Sequence, residues 1–457
     1  MNSSNSITLN VLGGGGEVGA SCFHLVLDGY HVVLDSGTHP KKDGIEALPE
    51  FRLLHRAPDA LLVSHAHVDH CGSVPYLVRQ FPALRIHSTL PTVRIMDRML
   101  HNSVSVMELL ARERGILEYP LYSHDDVNYA MGGVRGHNFE ETFPLVEGGP
   151  VEISFHHAGH VLGSASILLK APGHTLFYTG DICETDQELM AGYSLLNNVH
   201  VDTLIIESTH GSTDNSHVRP YPQEALRLGH AIAEVLHQGG SVLIPSFALG
   251  RTQEMLNIVA RLQEEGVIPE APVFASGLGR AIYEIYNRFE RYLHPDATLR
   301  PLDQFGRIGN VWERSVVRDL LAEPGIIIAT SGMMLENTPS AMIAQEMVKR
   351  THHGIFFVGY VDHETLGYRL LHSEPGELLE FSLGAPPVEV KLRNIQRFYF
   401  SAHAPRTSLR SVIERLHPKN VVFVHGDPPA LAWMKEHTAN GYRTHVPMVG
   451  QSVVLEA

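Results

Sequence analysis

The chain has 457 residues, of which 44% are hydrophobic, and a formal net charge of −15 at pH 7. This length predicts two or three domains with well-formed cores, and the ordinary apolar content excludes a chain dominated by disorder. The negative charge argues against unspecific binding to polyanions such as nucleic acid, although a local basic groove is compatible with it.

Three features of the composition bear on the compartment. No apolar run approaches the roughly 18 residues that a membrane span needs. The first residues lack the basic start and apolar centre of a secretory signal. The cysteines, Cys22, Cys71 and Cys183, lie far apart and form neither a disulfide framework nor a CxxC zinc pattern. We therefore expect a cytoplasmic protein without a membrane segment.

The first predicted elements are strands and a glycine-rich loop. Residues 14–19, GGGEVG, match the GxGxxG pattern of dinucleotide-binding folds, and Asp35 lies at the distance of a ribose ligand. That fold requires a helix after the glycines, whereas residues 21–27 and 30–34 have the pattern of two strands joined by the turn signal Asp28-Gly29. We expect a β-hairpin, and interpret the glycines as a loop that passes close to another part of the chain.

The pattern of predicted elements changes near residue 202. Before it, helices at 71–81 and 92–115 are followed by strands, beginning at 151–155, whose loops carry His and Asp. After it, apolar strands such as DTLIIE, SVLIPSF and GIIIAT alternate with helices, which predicts a parallel sheet covered by helices. These helices are expected near 222–238, 251–265, 278–290 and 338–350. The tail predicts a strand RFYFSAH, a helix RTSLRSVIERL and a strand NVVFVHGD.

The stretch SHAHVDHCG, residues 64–72, has the spacing of metal ligands. It follows an apolar run, and if the strand continues, His65 and His67 point the same way and hold one metal. Asp69 and His70 follow as the chain turns toward a helix and would face a second site. Imidazole and carboxylate are the usual zinc ligands of hydrolytic sites. The alternative is a polar loop with chance histidines.

Three later loops offer matching ligands, each after an apolar strand-like run. They are AGHVLGSAS with His160, TGDI with Asp181 and FVHGD with His425. Asp181 is suited to bridge two metals, which at about 3.5–4 Å separation clamp the attacking and leaving oxygens of a displacement. Asp35 in LDSG is expected to orient a ligand rather than bind metal. Taken singly, each of these residues also fits a structural role.

These motifs together resemble a known family. SHAHVDHCG, with Asp35, His160 and Asp181, is similar to the metallo-β-lactamase fold, and IIESTHG, PSFALGRTQEML, ATSGMM, FSAHAPR and FVHGD narrow the resemblance to the β-CASP nucleases. It spans almost the whole chain. It implies an α/β protein, in which a metallo-β-lactamase αββα sandwich from residues 1–208 and 395–457 carries an inserted parallel α/β β-CASP domain at 209–394.

The resemblance also implies roles for individual residues. Two zinc ions per chain are expected, one held by His65, His67 and His160, the other by Asp69, His70 and His425, with Asp181 bridging. The catalytic residues are expected to be Asp69, Glu207 and His403. Glu207 orients His403, which acts as general acid, since a histidine near pKa 6.5 donates a proton at working pH and a carboxylate partner supports its charged form.

Substrate phosphate needs positive groups and N–H donors. Arg251 begins a predicted helix directly after a loop, where the helix N-terminus attracts anions. Ser331 follows the apolar run GIIIAT at the carboxyl end of a parallel strand, and Ser401 lies two residues before His403. We expect these three to contact phosphate. The alternatives are a salt bridge for Arg251 and turns or caps for the serines.

The resemblance predicts a zinc-dependent endoribonuclease in which a hydroxide held by two zinc ions attacks single-stranded RNA, and exonuclease activity of the same enzyme is a further option. DNA-acting members typically carry valine where this chain has His425, which favours RNA. The alternatives are a DNA nuclease of the same group, a small-molecule ester or thioester hydrolase of the same fold, and a non-catalytic scaffold, although the scaffold subunits have lost metal ligands that this chain keeps. A separate protein partner could supply targeting for so acidic an enzyme.

Overall fold

The computed structural model describes residues 6–196, 199–214, 216, 218–382, 384–438 and 440–456. The chain forms two compact units. Unit 1 consists of Met1–Thr185, Gly192–Ser216 and Ala402–Ala457, and unit 2 consists of Asp186–Ala191 and His217–Ser401. The chain therefore leaves unit 1 twice, first for Asp186–Ala191 and then for His217–Ser401, and returns each time to continue unit 1.

The strands in chain order are β1 (Ser6–Gly13), β2 (Cys22–Leu27), β3 (Tyr30–Leu34), β4 (Ala60–Leu62), β5 (Arg85–Thr89), β6 (Val134–His137), β7 (Thr142–Pro144), β8 (Glu152–His157), β9 (Ala165–Ala171), β10 (His174–Tyr178), β11 (Thr203–Glu207), β12 (Val242–Pro245), β13 (Val273–Ala275), β14 (Gly306–Arg307), β15 (Ile326–Ala329), β16 (Gly354–Phe357), β17 (Leu378–Leu379), β18 (Val388–Glu389), β19 (Asn394–Arg397), β20 (Asn420–Val424), β21 (Arg443–His445) and β22 (Ser452–Glu456). The helices are α1 (Val68–Cys71), α2 (Val74–Gln80), α3 (Leu90–Arg114), α4 (His124–Gly132), α5 (Tyr221–His237), α6 (Arg251–Glu264), α7 (Gly277–Arg288), α8 (Arg314–Leu320), α9 (Pro339–Met347), α10 (Leu366–Leu371), α11 (Arg406–Leu416) and α12 (Pro428–Glu436).

Unit 1 is built on two seven-stranded sheets. Their strand orders are β22-β1-β2-β3-β4-β5-β6 and β21-β20-β11-β10-β9-β8-β7. Alternate residues of both sheets, such as Leu9 and Leu25 in the first and Ile167 and Ile205 in the second, form one apolar core. This alternation is what two sheets packed face to face require. Each such side chain contributes about 1.5–3 kcal/mol by leaving water.

Helices cover this sandwich, which confirms the predicted αββα arrangement. The helices α11 and α12 supply Leu409, Ile413 and Met434 to a second core against the strands β11 and β20. The predicted helix near 92–115 is α3, which begins after Thr89 and ends at Gly115 with a φ of +68°. Of the helices in the described part of the chain, none has both the length and the apolar character to cross a membrane.

The predicted hairpin is formed by β2 and β3, and the glycine-rich loop connects β1 to β2. Strands β1, β2 and β3 are antiparallel neighbours, so no helix follows the GxGxxG pattern and the dinucleotide interpretation is excluded. The carbonyl of Gly14, whose φ is +75°, accepts the backbone N–H of His425 at 2.8 Å. A Cβ on Gly15 would lie 2.6 Å from the carbonyl oxygen of Pro447. The glycines therefore permit a close approach to the loop that carries a predicted metal ligand.

Unit 2 has the predicted parallel sheet, with strand order β14-β13-β15-β12-β16-β19. Val242 and Ile244 face one apolar core, whereas Leu243 between them faces another. Both faces of the sheet are thus buried, which explains why its strands are continuously apolar. The helices α5, α6, α7 and α9 coincide with the predicted ones within a few residues.

One predicted strand is wrong in its extent. RFYFSAH was expected to be extended throughout, but β19 ends at Arg397. The reason is pairing, because β19 runs parallel to β16 only as far as Phe357 and Arg397. Beyond that point Phe398 and Phe400 turn into the core of unit 2.

A buried carboxylate, Glu254 on α6, fastens the segment Asp186–Ala191 within unit 2. Glu254 is 1% exposed, and its oxygens accept the backbone N–H of Glu188 at 2.8 Å, the N–H of Leu189 at 3.1 Å and the hydroxyl of Tyr221 at 2.9 Å. Burial raises its pKa to about 7 against the opposing charge of Arg251. Ionising this carboxyl in its site therefore costs free energy that the three donors only partly offset.

The stability contribution of Glu254 is expected to depend on pH. Its pKa in the folded state lies above the ordinary value of 4.5, so folding takes up a proton between pH 4.5 and about 7. Its contribution therefore declines as pH rises through that window, by up to about 3 kcal/mol. We expect the stability difference between the wild type and Glu254→Gln to shrink between pH 5 and pH 8, measured by denaturant unfolding. The matched control is Glu234→Gln at an exposed position of α5, and an equal pH dependence in both variants would contradict the prediction.

Candidate metal centre

The predicted metal ligands meet at one edge of the unit 1 sandwich. In the first sheet β3 and β4 are parallel, and in the second sheet β10, β11 and β20 are parallel. The carboxyl ends of parallel strands lie side by side, so residues that follow them converge. The residues brought together in this way are Asp35, His65, His67, Asp69, His70, His160, Asp181, Glu207, His403 and His425.

Three imidazoles form the first group. Nδ1 of His67 lies 3.1 Å from Nε2 of His65 and 3.0 Å from Nε2 of His160. Ligands around a tetrahedral zinc ion at about 2.0–2.1 Å are separated by roughly 3.3 Å, so these nitrogens are close to a binding arrangement. This is the trio that the sequence predicted for one metal.

Asp69, His70 and His425 form the second group. The Asp69 Oδ2 lies 3.4 Å from Nε2 of His425 and 3.8 Å from Nε2 of His70. Asp181 touches both groups, because its Oδ2 lies 3.4 Å from Nε2 of His70 and 3.7 Å from Nε2 of His65. A carboxylate in this position has the geometry of a bridging ligand.

Two buried atoms in this cluster have no hydrogen bond. Within the described residues, Nε2 of His70 and Oδ1 of Asp181 are fully buried and lack a hydrogen-bond partner. Such atoms cost free energy unless something satisfies them. Both belong to ligand-type side chains that face the same cluster, so a bound cation fits the donor set.

The electrostatics of the cluster also favour a cation. Burial and the neighbouring imidazoles hold the pKa values of His65 and His160 well below the ordinary value, which keeps both rings neutral and able to bind metal. Burial alone would lower the pKa of His70, but the carboxylates of Asp181 and Asp69 raise it well above the usual range. The carboxylates of the cluster therefore favour positive charge beside them.

Asp35 supports the cluster from behind. It is fully buried, and its carboxylate accepts the Ser64 backbone N–H at 2.7 Å, the Ser64 hydroxyl at 2.8 Å and the Tyr178 hydroxyl at 2.7 Å. It also lies 2.8 Å from Nδ1 of His70, whose N–H donates to it. This contact turns the other ring nitrogen of His70 toward the metal ligands.

Glu207 and His403 lie together next to the ligands. Oε2 of Glu207 accepts a hydrogen bond from Nδ1 of His403 at 3.1 Å, and Oε1 accepts the backbone N–H of Ile182 at 2.8 Å. The same nitrogen of His403 is 4.0 Å from Oδ2 of Asp181. Burial would lower the pKa of His403, but the charge of Glu207 outweighs it and raises the pKa to about 9. The arrangement holds a proton beside the ligands.

Sequence reasoning missed several supporting groups. Nδ1 of His160 donates to the carbonyl of Ala402 at 2.7 Å, and the hydroxyl of Thr209 lies 3.2 Å from Nδ1 of His425. Tyr178 and Ser64 were missed as partners of Asp35. Tyr178 had a detectable signal, because it ends a strand just before the TGD motif, whereas a backbone carbonyl such as that of Ala402 leaves no trace in the sequence.

The three residues predicted to contact phosphate lie in unit 2. Arg251 is 6% exposed, donates to the side-chain oxygen of Gln187 at 3.4 Å and lies beside Glu254. The hydroxyl of Ser331 accepts the backbone N–H of Leu335 at 2.9 Å, and Ser401 is exposed. Their role in substrate binding stays a prediction.

Family models match most of the chain. The metallo-beta-lactamase superfamily model matches residues 15–230, the Beta-Casp domain model residues 252–370, and a model described as the Zn-dependent metallo-hydrolase RNA specificity domain residues 387–447. The three matches follow one another along the chain without overlap.

Curated relatives extend over nearly the whole chain. An RNase J-like protein of Methanocaldococcus jannaschii is 29% identical, over 92% of this chain and 93% of its own length. The transcription termination factor FttA of the same organism is 31% identical, over 92% of this chain and 67% of its own length. The cleavage and polyadenylation specificity factor 73 of Drosophila melanogaster is 30% identical over 94% of this chain, but the chain spans only 61% of that protein.

A solved structure shares the fold. A protein of unknown function from Enterococcus faecalis V583 matches with a TM-score of 0.59 over 98% of this chain and 100% of that chain, at 16% sequence identity. At this identity the likeness shows the fold alone.

Replacing Asp35 by asparagine is expected to weaken metal binding. Asparagine tolerates the left-handed φ of +57° at this position, so the backbone stays while the charge that orients His70 is lost. We expect divalent metal affinity to fall about 10- to 100-fold, measured by competition with a chromogenic chelator. The control is Asp28→Asn in the exposed β2–β3 turn, where φ is +48°. If Asp35→Asn and Asp28→Asn bound divalent metal with equal affinity, Asp35 would not contribute to metal binding.

Proposed function

The chain belongs to the β-CASP family of the metallo-β-lactamase superfamily, and from this membership we propose that it is a two-zinc endoribonuclease that cleaves single-stranded RNA. The observation that carries the proposal is the Glu207–His403 pair, which lies beside seven ligand-type side chains and holds a proton there. Relatives named RNase J-like protein and endoribonuclease ysh-1 support RNA as the substrate, as does the match to a model described as an RNA specificity domain.

In this proposal His65, His67 and His160 hold one zinc ion, and Asp69, His70 and His425 hold the other. Asp181, whose Oδ2 lies near both groups, would contact both ions. When bound, zinc would lower the pKa of water and neutralise charge on the phosphoryl group. The protein contributes the fixed orientation of its ligands, because Asp35 and the carbonyl of Ala402 each hold one imidazole by its other nitrogen.

His403 serves as general acid in the proposed reaction. Its Nδ1–H stays bonded to Glu207, which leaves Nε2 to deliver a proton to the 3′ oxygen as the P–O3′ bond breaks. Water supplies the new oxygen on phosphorus, so the upstream product ends in a 3′ hydroxyl and the downstream product begins with a 5′ phosphate. Asp69, 21% exposed at its side chain, accepts a hydrogen bond from the attacking water.

His425 favours RNA over DNA within this family, because DNA-acting members typically carry valine there. Its backbone N–H is bound by Gly14 and its ring lies 3.4 Å from both Asp69 and Asp181, so it is built into the ligand set. Zinc suits a set of five imidazoles and two carboxylates, which are its usual nitrogen and oxygen ligands.

Removing the proposed general acid is expected to reduce turnover while metal stays bound. We expect His403→Ala to lower kcat on end-labelled single-stranded RNA by about 10²- to 10⁴-fold, with unchanged zinc content by atomic absorption. Glu207→Gln is expected to lower kcat less and to leave KM unchanged, because it acts by orienting the ring. His437→Ala, an exposed histidine that ends α12, is the matched control.

Three results would contradict the proposal. If His403→Ala cleaved RNA with the kcat of the wild type, His403 would not be the general acid. Preferential cleavage of DNA of the same sequence would assign the enzyme to the other substrate class. Hydrolysis of an ester panel by a zinc-loaded protein that leaves RNA intact would indicate a small-molecule hydrolase.

A further inference from the structure

A cavity lies on the outer face of the first sheet of unit 1. It has a volume of about 290 Å³, and the polar residues that line it include Asn10, His24 and His31. Residues Leu9 and Leu25, next to Asn10 and His24 along their strands, point into the sandwich core, so Asn10 and His24 point away from it. None of the residues that form the candidate metal centre lines this cavity.

The hydrogen bonds along this face fix where the protons are. Nδ2 of Asn10 lies 3.5 Å from the carbonyl oxygen of His24, which only accepts, so the amide nitrogen faces His24. The same nitrogen is 3.2 Å from Nδ1 of His24, which must therefore accept. His24 then carries its proton on Nε2 and donates it to Nδ1 of His31 at 3.0 Å. His31 is left with its proton on Nε2 as a donor.

A hydrogen bond also fixes which atom of the Gln451 side-chain amide faces the cavity. Its side-chain oxygen accepts the backbone N–H of Met448 at 3.0 Å, so its amide nitrogen presents two N–H groups. Within the described residues, neither this nitrogen nor Nε2 of His31 has a hydrogen-bond partner in the structure. The cavity thus contains side-chain donors whose direction is determined and which a ligand can reach, since Gln451 is exposed and His31 is partly exposed.

The remaining polar lining adds positive charge. His55 and Arg56 lie at the rim, and the nearest carboxylate to the guanidinium of Arg56 is Asp59, at 3.7 Å. Asp59 does not line the cavity and is engaged by the backbone N–H of His31 at 2.8 Å. Among the lining residues there is no aspartate or glutamate, although the chain carries a net charge of −15. The cavity therefore combines donors with one permanent cation.

We propose that this cavity binds a small phosphorylated molecule through Arg56, His55, His31 and Gln451. A phosphate group offers the several acceptor oxygens and the negative charge that these donors lack, and arginine suits it because of its planar fork. The volume is close to the lower limit of ligand pockets, about 300 Å³, so it has room for a phosphate with a modest substituent. The proposal does not rest on the function proposed for the metal centre.

Calorimetric titration at pH 7 tests this assignment. The probes are inorganic phosphate, adenosine 5′-monophosphate and uncharged adenosine, each titrated into the zinc-loaded wild type, Arg56→Ala and Arg52→Ala. Arg52 is an arginine four residues earlier whose side chain is 80% exposed, pairs with Glu50 and does not line the cavity. Any phosphate bound at the zinc centre contributes equally to all three proteins, so their difference isolates the cavity.

We expect both phosphate probes to bind the wild type and Arg52→Ala alike, and to bind Arg56→Ala about tenfold more weakly. If adenosine 5′-monophosphate binds the cavity more tightly than inorganic phosphate, the ligand class is a phosphate monoester. If the two bind equally, the ligand is free phosphate. The proposal is overturned if Arg56→Ala binds like Arg52→Ala, or if adenosine binds as well as its monophosphate. Melting without ligand checks folding, and His55→Gln replaces Arg56→Ala if that variant is unfolded.

Discussion

The buried charge of Asp35 is the interaction on which the candidate centre of unit 1 depends. A carboxylate without exposed surface is costly unless donors surround it. The Asp35 carboxylate accepts hydrogen bonds from a backbone N–H, two hydroxyls and an imidazole, which come from three separate parts of the chain. Because the donors come from Ser64 after β4, from His70 in helix α1 and from Tyr178 at the end of β10, satisfying this one group also fixes these three parts of the chain relative to one another. The hydrogen bonds around Asp35 therefore also position the candidate metal ligands.

Unit 2 uses the same principle for a different purpose. Glu254 is also a buried carboxylate with three donors, two of them backbone N–H groups of one short segment. In unit 1 the donors around Asp35 are mostly side chains and leave a ligand ring oriented. In unit 2 the donors are mostly backbone, so the carboxylate fixes the path of the chain itself. A buried carboxylate thus organises the candidate metal centre in unit 1 and the path of a short segment in unit 2.

Apolar patterns in the sequence predicted most elements, whereas the fold class and the full ligand set came from the resemblance to the β-CASP nucleases. The ligand-rich stretch itself was detectable locally, since SHAHVDHCG carries four ligand-type residues whose spacing is set by a strand and the following turn, and the parallel order of strands brings later loops to the same edge. The end of β19 and the burial of Arg251 could not be predicted from the sequence, because both depend on partners far along the chain. The contact of Ala402 could not be predicted either, because its carbonyl accepts a hydrogen bond from His160, which lies 242 residues away in the sequence.

The backbone conformation at His425 limits which side chains this position can accept. His425 has a φ of +49°, a left-handed conformation that costs an L-residue about 1–2 kcal/mol and that β-branched side chains tolerate worst. The next residue, Gly426, is held so close to Ser208 that an added Cβ would lie 2.9 Å away. Exchanging His425 for valine in this chain would therefore strain the loop as well as remove one imidazole from the cluster. The backbone thus restricts the side chain at this position independently of any role in binding.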